Sequence, residues 1–197
     1  MKSEFFQEPY QLFLKWFAEA KKHPQISEPT AMNIATVKAD GRPASRMVLL
    51  KEYEPDQFIF YTNLTSDKAK ELALNPYLAI NFYWMPLKKQ IRITGKASLI
   101  DPKRADNYFQ QRPDGSKLSA WASKQSQTMA QADDFAKRLA RYQEKFSGQP
   151  IVRPDFWSGF MVNADQYEFW QEKQYRRHDR FRYQKQDNQW LSARLYP

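Results

Sequence analysis

At Ala31 the hydrophobic period of the chain changes, and the change restricts the folds open to it. The stretch "AMNIATVKADGRPASRMVLLKEYEPDQFIFYTN" gives three β-type runs, parted by an Asp40-Gly41 turn signal and by "EPDQ". Links this short join antiparallel neighbours, so the segment reads as a meander. Two further runs follow, "YLAINFYW" and "KQIRITGKASLI", after a short helix in "SDKAKELALNP" with a serine cap and an Asn75-Pro76 stop. Ahead of the strands, Tyr10, Phe13, Leu14 and Phe17 fall at helical spacing between Pro9 and Pro24, which makes an amphipathic opening helix. From Pro102 to about Phe146 the pattern is helical, through "PKRADNYFQQRP", "SKLSAWASKQS" and a longer helix. Phe135, Leu139, Tyr142 and Phe146 form a stripe on that last helix, read as core packing. After the proline-rich "SGQPIVRPD", strand character returns in "FWSGFMVNADQYEFWQ" and "RFRYQKQDNQWLSARLYP". The expected fold is α+β, an antiparallel barrel with peripheral helices, in a single domain over residues 1–197. Residues 1–27 are its N-terminal helical segment and 102–146 a helical insertion.

A chain of 197 residues, 42% hydrophobic and 16% aromatic, buries a sizeable core and is not a disordered basic tail. With no cysteine there is no disulfide framework, thiol nucleophile, thiolate zinc site or iron–sulfur cluster, and with two histidines a histidine-rich metal site is not expected. The start, "MKSEFFQEPYQLFLKWF", reads as neither signal peptide nor membrane anchor, and no run of about 18 apolar residues occurs, so the expected location is the cytoplasm. The net charge of +9 leaves two readings, a diffuse field for nucleic acid or discrete pockets for small phosphates.

The placement of the cations bears on that choice. In "SRMVLLKEY", strand alternation puts Arg46, Val48 and Leu50 on one face and Met47, Leu49 and Lys51 on the other, so two cations bracket an apolar run and face apart. Each is either a solvated strand-end charge or an anion contact. In "YTNLTSDKAKEL", Thr62, Thr65, Ser66 and Lys68 gather where a strand ends and a helix begins, either a phosphate seat or a plain cap beside a surface lysine. "YFQQRPDGS" sets Tyr108 and Arg112 one helical turn apart with Ser116 just beyond, which suits phosphate as well as it suits a helix end with a turn. In "QYRRHDRFRY", an extended chain would put Arg176, His178, Arg180 and Arg182 on one face and Arg177, Asp179, Phe181 and Tyr183 on the other. A single-strand binder needs its aromatics among its cations, and here they fall opposite. Arg182 is expected in solvent, while a hairpin would bring Arg176 and His178 beside Trp170.

In order and spacing, "RMVLLK", "FYTN", "SDKAKEL", "NP", "KQIRITGKA", "YFQQRP", "AWASKQS", "FWSGF", "EFWQ" and "RRHDRFRY…W…RLYP" resemble the FMN-dependent pyridoxamine 5′-phosphate oxidases, from about Glu28 to Pro197. The resemblance implies an FMN-binding split barrel, assembled as a homodimer with two active sites at the interface that draw on both chains. It implies oxidation of pyridoxine 5′-phosphate or pyridoxamine 5′-phosphate to pyridoxal 5′-phosphate, O2 being reduced to H2O2. Carried over by position, FMN contacts fall on Arg46, Met47, Val48, Leu49, Leu50 and Lys51, on Tyr61, Thr62 and Lys68, on Gln90, Gln125 and Ser126, and on Trp170 and Arg180. Lys51, Tyr108, Arg112 and Ser116 would hold the substrate phosphate, and Arg176, Arg177 and His178 would lie against its ring, with Arg176 and His178 in the catalytic roles. No metal, nucleic acid or membrane enters this reading.

Three positions depart from the family pattern. Asp67 stands where arginine is common, which removes one cofactor-phosphate cation. The family's basic-aromatic lid segment has no clear counterpart in "MKSEFFQEPYQ", and Arg177 replaces an apolar residue. Three other readings remain: a related FMN oxidase of the phenazine-biosynthesis type, which tends to lack the substrate-phosphate residues; a nucleic-acid-binding module; and a flavin- or pyridoxal-phosphate-binding protein without turnover.

Overall fold

One strand organises the sheet. The structure, a computed structural model, describes residues 8–197, so the lid expectation for "MKSEFFQEPYQ" falls largely outside the described residues. β7 (Trp157–Gln171) is 15 residues long. Along one edge it pairs with β6 (Lys89–Leu99), from Lys89↔Gln171 to Leu99↔Phe160. Its other edge is shared end to end: β4 (Gln57–Asn63) takes residues 157–163, and β8 (Asp179–Gln186) takes 166–171. The full order is β2 (Pro43–Leu49), β1 (Ala31–Val37), β5 (Tyr77–Trp84), β6, β7, β4 and β3 (Glu52–Glu54), with β9 (Gln189–Arg194) on β8. Every pairing is antiparallel. The result is an α+β fold built on a curled antiparallel half-barrel. At Gly95 the β6–β7 register shifts, and a Cβ there would stand 2.2 Å from the Asn163 carbonyl oxygen, so only glycine permits the close approach.

α1 (Pro9–Lys22) covers the inner face of the sheet. Its buried stripe is Leu12, Phe13, Trp16, Phe17 and Ala20, a helical period laid onto strands that alternate in and out, as β1 does with Met32, Ile34 and Thr36 buried. Edge-to-face aromatic packing fixes the seat: Phe13 meets Phe58 at 4.9 Å and 87°, and Trp16 meets Phe169 at 5.2 Å and 88°. α2 (Asp67–Leu74), α3 (Pro102–Gln111), α4 (Asp114–Ala122) and α5 (Asp134–Lys145) complete the described helices.

Five local expectations need correction. Ser66 occupies the N-cap of α2 but makes no cap bond; its hydroxyl donates to the Asn63 carbonyl at 2.7 Å. The helix in "SKLSAWASKQS" ends at Ala122. The α5 stripe is not core along the helix, for no α5 residue is buried: Tyr142 leans on Trp121 at 5.3 Å and Phe135 is left 38% exposed, while Phe146, just past the helix, meets Trp121 at 5.4 Å and also packs on the small cluster of Phe109, Ile151 and Trp157. An amphipathic stripe sinks only as far as its partner is wide, and here the partner is one indole on α4 rather than a sheet. Residues Gln174–Arg176 form a 3-10 turn with left-handed φ at Tyr175 and Arg176, and β8 begins only at Asp179, so single-face alternation of the cations holds for Arg180 and Arg182 alone. Arg182 is partly buried rather than solvated.

Asp56 closes the β3–β4 turn at φ 59° and ties it to the C-terminal strands. Its carboxylate accepts from Tyr167 Oη at 3.1 Å, and from Lys185 Nζ and Trp190 Nε1 at 3.2 Å each. Asp56→Ala removes all three bonds while keeping the strained φ, and is expected to cost about 3 kcal/mol in urea unfolding. Asp56→Gly should recover roughly 1 kcal/mol of that by relieving φ; equal losses would show that backbone strain plays no part.

Candidate active site

Where β2, β4 and the start of α2 meet α4 and the loop after it, they enclose a cavity of about 590 Å³. Lys68 reaches it from the first turn of α2 and is only 7% exposed. Its ammonium donates to Gln125 Oε1 at 2.8 Å, Thr62 Oγ1 at 3.2 Å and Ser66 Oγ at 3.3 Å. Burial, with the charge of Arg46 nearby, holds its pKa below the ordinary lysine value. Arg46 enters from β2 with its guanidinium fixed from behind: Nη2 donates to Glu71 Oε2 at 2.8 Å, Nη1 donates to Thr36 Oγ1, and that hydroxyl donates to Glu71 Oε2 at 2.5 Å. Burial alone would raise the Glu71 carboxyl, but the bonds from Thr36 and Arg46 hold it below the usual carboxylate range. Two aimed cations thus face one cavity, with the Asp67 carboxylate and Ser126 on its wall.

A second recess of about 420 Å³ adjoins it through Leu49, Lys51, Tyr108 and Arg112, and extends to Ser116. Arg112 lies against the Trp157 ring at 4.8 Å and the Phe109 ring at 5.5 Å. Burial lowers its pKa, and its Nη1 is buried without a hydrogen-bond partner. An unpaired buried guanidinium N–H is costly, and an anion in the recess would satisfy it. That orphaned donor, beside Lys51 and two hydroxyls, is what a phosphate monoester requires.

The remaining expected residues stand elsewhere. Gln90, Trp170 and Arg180 are aligned across β6, β7 and β8, and the His178 ring packs on Trp170 at 4.7 Å. Arg180 is oriented by Glu168, 3% exposed, whose Oε1 accepts from Nε at 3.0 Å and Nη2 at 2.8 Å, while Oε2 pairs with Arg92. Arg176 and Arg177 are exposed on the turn before β8. None of these six expected residues lines either cavity. From Ser158, opposite Thr62, to Trp170, opposite Arg180, is twelve residues of β7, or up to about 40 Å of strand. Leu50 also differs from its neighbours: its side chain is in the core and its N–H donates to Thr30, while Arg46, Met47, Val48, Leu49 and Lys51 all line the main cavity. Glu71, Thr36 and Trp157 escaped the sequence reading. Glu71 carried one signal, its i+3 spacing from Lys68 on α2.

Lys68 is held charged where burial opposes charge, so Lys68→Met is expected to raise the melting temperature of the ligand-free protein and to abolish the further rise that inorganic pyrophosphate confers. For the unaltered protein, pyrophosphate affinity should fall as pH rises through the depressed Lys68 pKa, because only the ammonium attracts the anion. A melting temperature lowered by the substitution, with the pyrophosphate response intact, would contradict this assignment.

Residues 18–146 match the family model described as pyridoxamine 5′-phosphate oxidase, and residues 157–197 match the pyridoxine 5′-phosphate oxidase C-terminal dimerisation region. A pyridoxine/pyridoxamine 5′-phosphate oxidase of Myxococcus xanthus is 44% identical over 190 residues, covering 96% of this chain and 92% of its own. One of Sphingopyxis alaskensis is 43% identical over 197 residues, covering 100% and 91%. Among solved structures, PhzG from Burkholderia lata, in complex with tetrahydrophenazine-1-carboxylic acid, superposes with a TM-score of 0.90 at 28% identity, covering 96% of this chain and 93% of that one. A pyridoxamine 5′-phosphate oxidase-related, FMN-binding protein of Nostoc punctiforme shares the fold with a TM-score of 0.76 at 19% identity, covering 97% and 99%. Matched along both its barrel strands and its C-terminal region, the chain belongs to the pyridoxamine 5′-phosphate oxidase family.

Proposed function

We propose that this protein oxidises pyridoxine 5′-phosphate and pyridoxamine 5′-phosphate to pyridoxal 5′-phosphate, with FMN as cofactor and O2 as terminal oxidant. We further propose that each active site of the homodimer is shared between two chains. The observation that carries the reading is the pair of adjoining anion seats, Arg46 with Lys68 in one and Lys51 with Arg112 in the other. A phosphorylated cofactor and a phosphorylated substrate, each near −2 in charge, call for two such seats. The alcohol substrate and O2 give the aldehyde and H2O2; the amine, O2 and water give the aldehyde, ammonia and H2O2.

Bound FMN supplies the two-electron acceptor. Arg46 and Lys68 would hold its phosphate, with Thr62, Gln125 and Ser126 on the same wall. Lys51, Tyr108, Arg112 and Ser116 anchor the substrate by its phosphate and leave its ring free to be oriented. Orientation then falls to Arg176 and His178 of the second copy, since a chain's own pair is remote from its own cavities. His178 Nδ1 accepts from the Lys173 N–H at 3.3 Å, so the neutral ring carries its proton on Nε2 and meets the substrate as a donor. To take the proton of the alcohol or amine at Nδ1, it must release that N–H. His178→Asn should therefore lower turnover; turnover unchanged by the substitution removes His178 from proton transfer.

A second reading, a phenazine-type oxidase, is favoured by the likeness to PhzG. The Lys51–Tyr108–Arg112–Ser116 recess weighs against it, since an unphosphorylated ring acid leaves that seat unfilled. The deciding experiment is anaerobic addition of pyridoxine 5′-phosphate to the FMN-loaded protein. Loss of the flavin's visible absorbance, with recovery in air, supports the vitamin B6 reading, whereas a flavin that stays oxidised refutes it. Asp67, on the cavity wall, opposes the cofactor phosphate. Asp67→Arg is expected to tighten FMN binding about tenfold, as read by fluorescence titration.

A further inference from the structure

Glu52 and Arg104 line neither cavity, yet they govern the ring on which the substrate-phosphate recess is built. Tyr61 lies opposite Gly159 in the β4–β7 register, where a Cβ would come within 3.1 Å of its ring, so the ring rests directly on strand backbone. Its hydroxyl donates to Glu52 Oε1. Burial, and then that carboxylate, keep the hydroxyl protonated and therefore donating. The Tyr61 plane is thus fixed at both ends, and Tyr108 stacks on it at 3.9 Å and 7°.

The other oxygen of Glu52 takes Arg104, with Nε at 2.8 Å, while Arg104 Nη2 also reaches Glu54 Oε1 at 2.6 Å. Arg104 and Tyr108 stand four residues apart on α3, on one helical face, and Arg112 continues the same line at the helix end. The helix is therefore clamped to the β3–β4 hairpin at two points one turn apart, the ion pairs and the ring stack. The phosphate-facing groups Tyr108 and Arg112 follow in register.

Resting on the vitamin B6 reading above, we propose that Glu52 is a positioning residue for the substrate's phosphate monoester: by holding the Tyr61 hydroxyl and Arg104 together, it sets the ring plane and helix face from which Tyr108 and Arg112 bind. Its charge works against an anion, so a purely electrostatic role would make its removal tighten binding. Positioning makes removal weaken it.

The test uses FMN-loaded protein and 4-deoxypyridoxine 5′-phosphate, which lacks the hydroxyl to be oxidised, with affinity read by calorimetry. Tyr61→Phe and Glu52→Ala should each weaken binding about fivefold, the scale of one modest hydrogen bond, and Glu52→Ala, which lies outside both cavities, should retain FMN. The double variant should be no worse than Glu52→Ala, because both changes break one linkage. Glu52→Gln keeps an acceptor for the Tyr61 hydroxyl and should restore most of the affinity. Affinities unchanged or tightened, losses that add independently, or FMN lost from Glu52→Ala in parallel would overturn the proposal. If the unaltered protein binds the analogue but its flavin is never bleached by pyridoxine 5′-phosphate, the reaction assignment fails while the positioning result stands. No binding by the unaltered protein overturns both.

Discussion

The length of β7 is the constraint on which the rest depends. A strand of 15 residues carries β4 on one half of an edge and β8 on the other. The hairpin that bears Trp170, His178 and Arg180 is thereby held away from the cavity lined by Arg46, Lys68 and Arg112. β4 and β8 meet β7 at opposite ends, and the register shift at Gly95 lies between them, near residues 164–166. Residues 157–197, which include this hairpin, match the pyridoxine 5′-phosphate oxidase C-terminal dimerisation region, and the proposed use of the hairpin by a second copy rests on that placement.

Buried charge is the second organising fact. Lys68 and Arg112 are desolvated cations, and folding tolerates them only where acceptors or rings stand close. Lys68 has three acceptors, whereas Arg112 has the faces of Phe109 and Trp157 and an unanswered Nη1. Carboxylates behind the site do complementary work: Glu71 holds Arg46, Glu168 holds Arg180, and Glu52 holds Arg104. Each sets a direction for a cation or helix without itself facing the ligand space. The net charge of +9 is in this sense a poor guide to function, because the cations that matter are few, paired and aimed.

Much of this was legible in the residues. The change of period at Ala31, the turn at Asp40-Gly41 and the proline at the start of α1 gave the antiparallel frame, because they act through local geometry. The ordered motifs gave the family. What stayed hidden was tertiary. Nothing local distinguishes the α5 stripe from a core stripe; only the width of its partner does. The turn at Tyr175 and Arg176 overrode an extended reading through two left-handed residues that no glycine announces. The Glu71–Arg46 and Glu52–Tyr61 bonds join separate elements, and neither spacing nor propensity foretells them. Alternation predicts that Arg46 and Lys51 face apart, yet β2 ends at Leu49 and both line the main cavity, and the carry-over of Leu50 as a cofactor contact met a side chain that belongs to the core.

The central claim is that one site needs two chains, cavity from one and hairpin from the other. Co-expression of Arg112→Ala and Arg176→Ala chains tests it most directly. In mixed dimers one site carries both lesions and the other neither. Random pairing makes half the dimers mixed, so the account requires recovery of about one quarter of the unaltered activity from two chains that are each inactive alone. Activity no higher than that of the separate variants would contradict it, and would place hairpin and cavity of a single chain at one site.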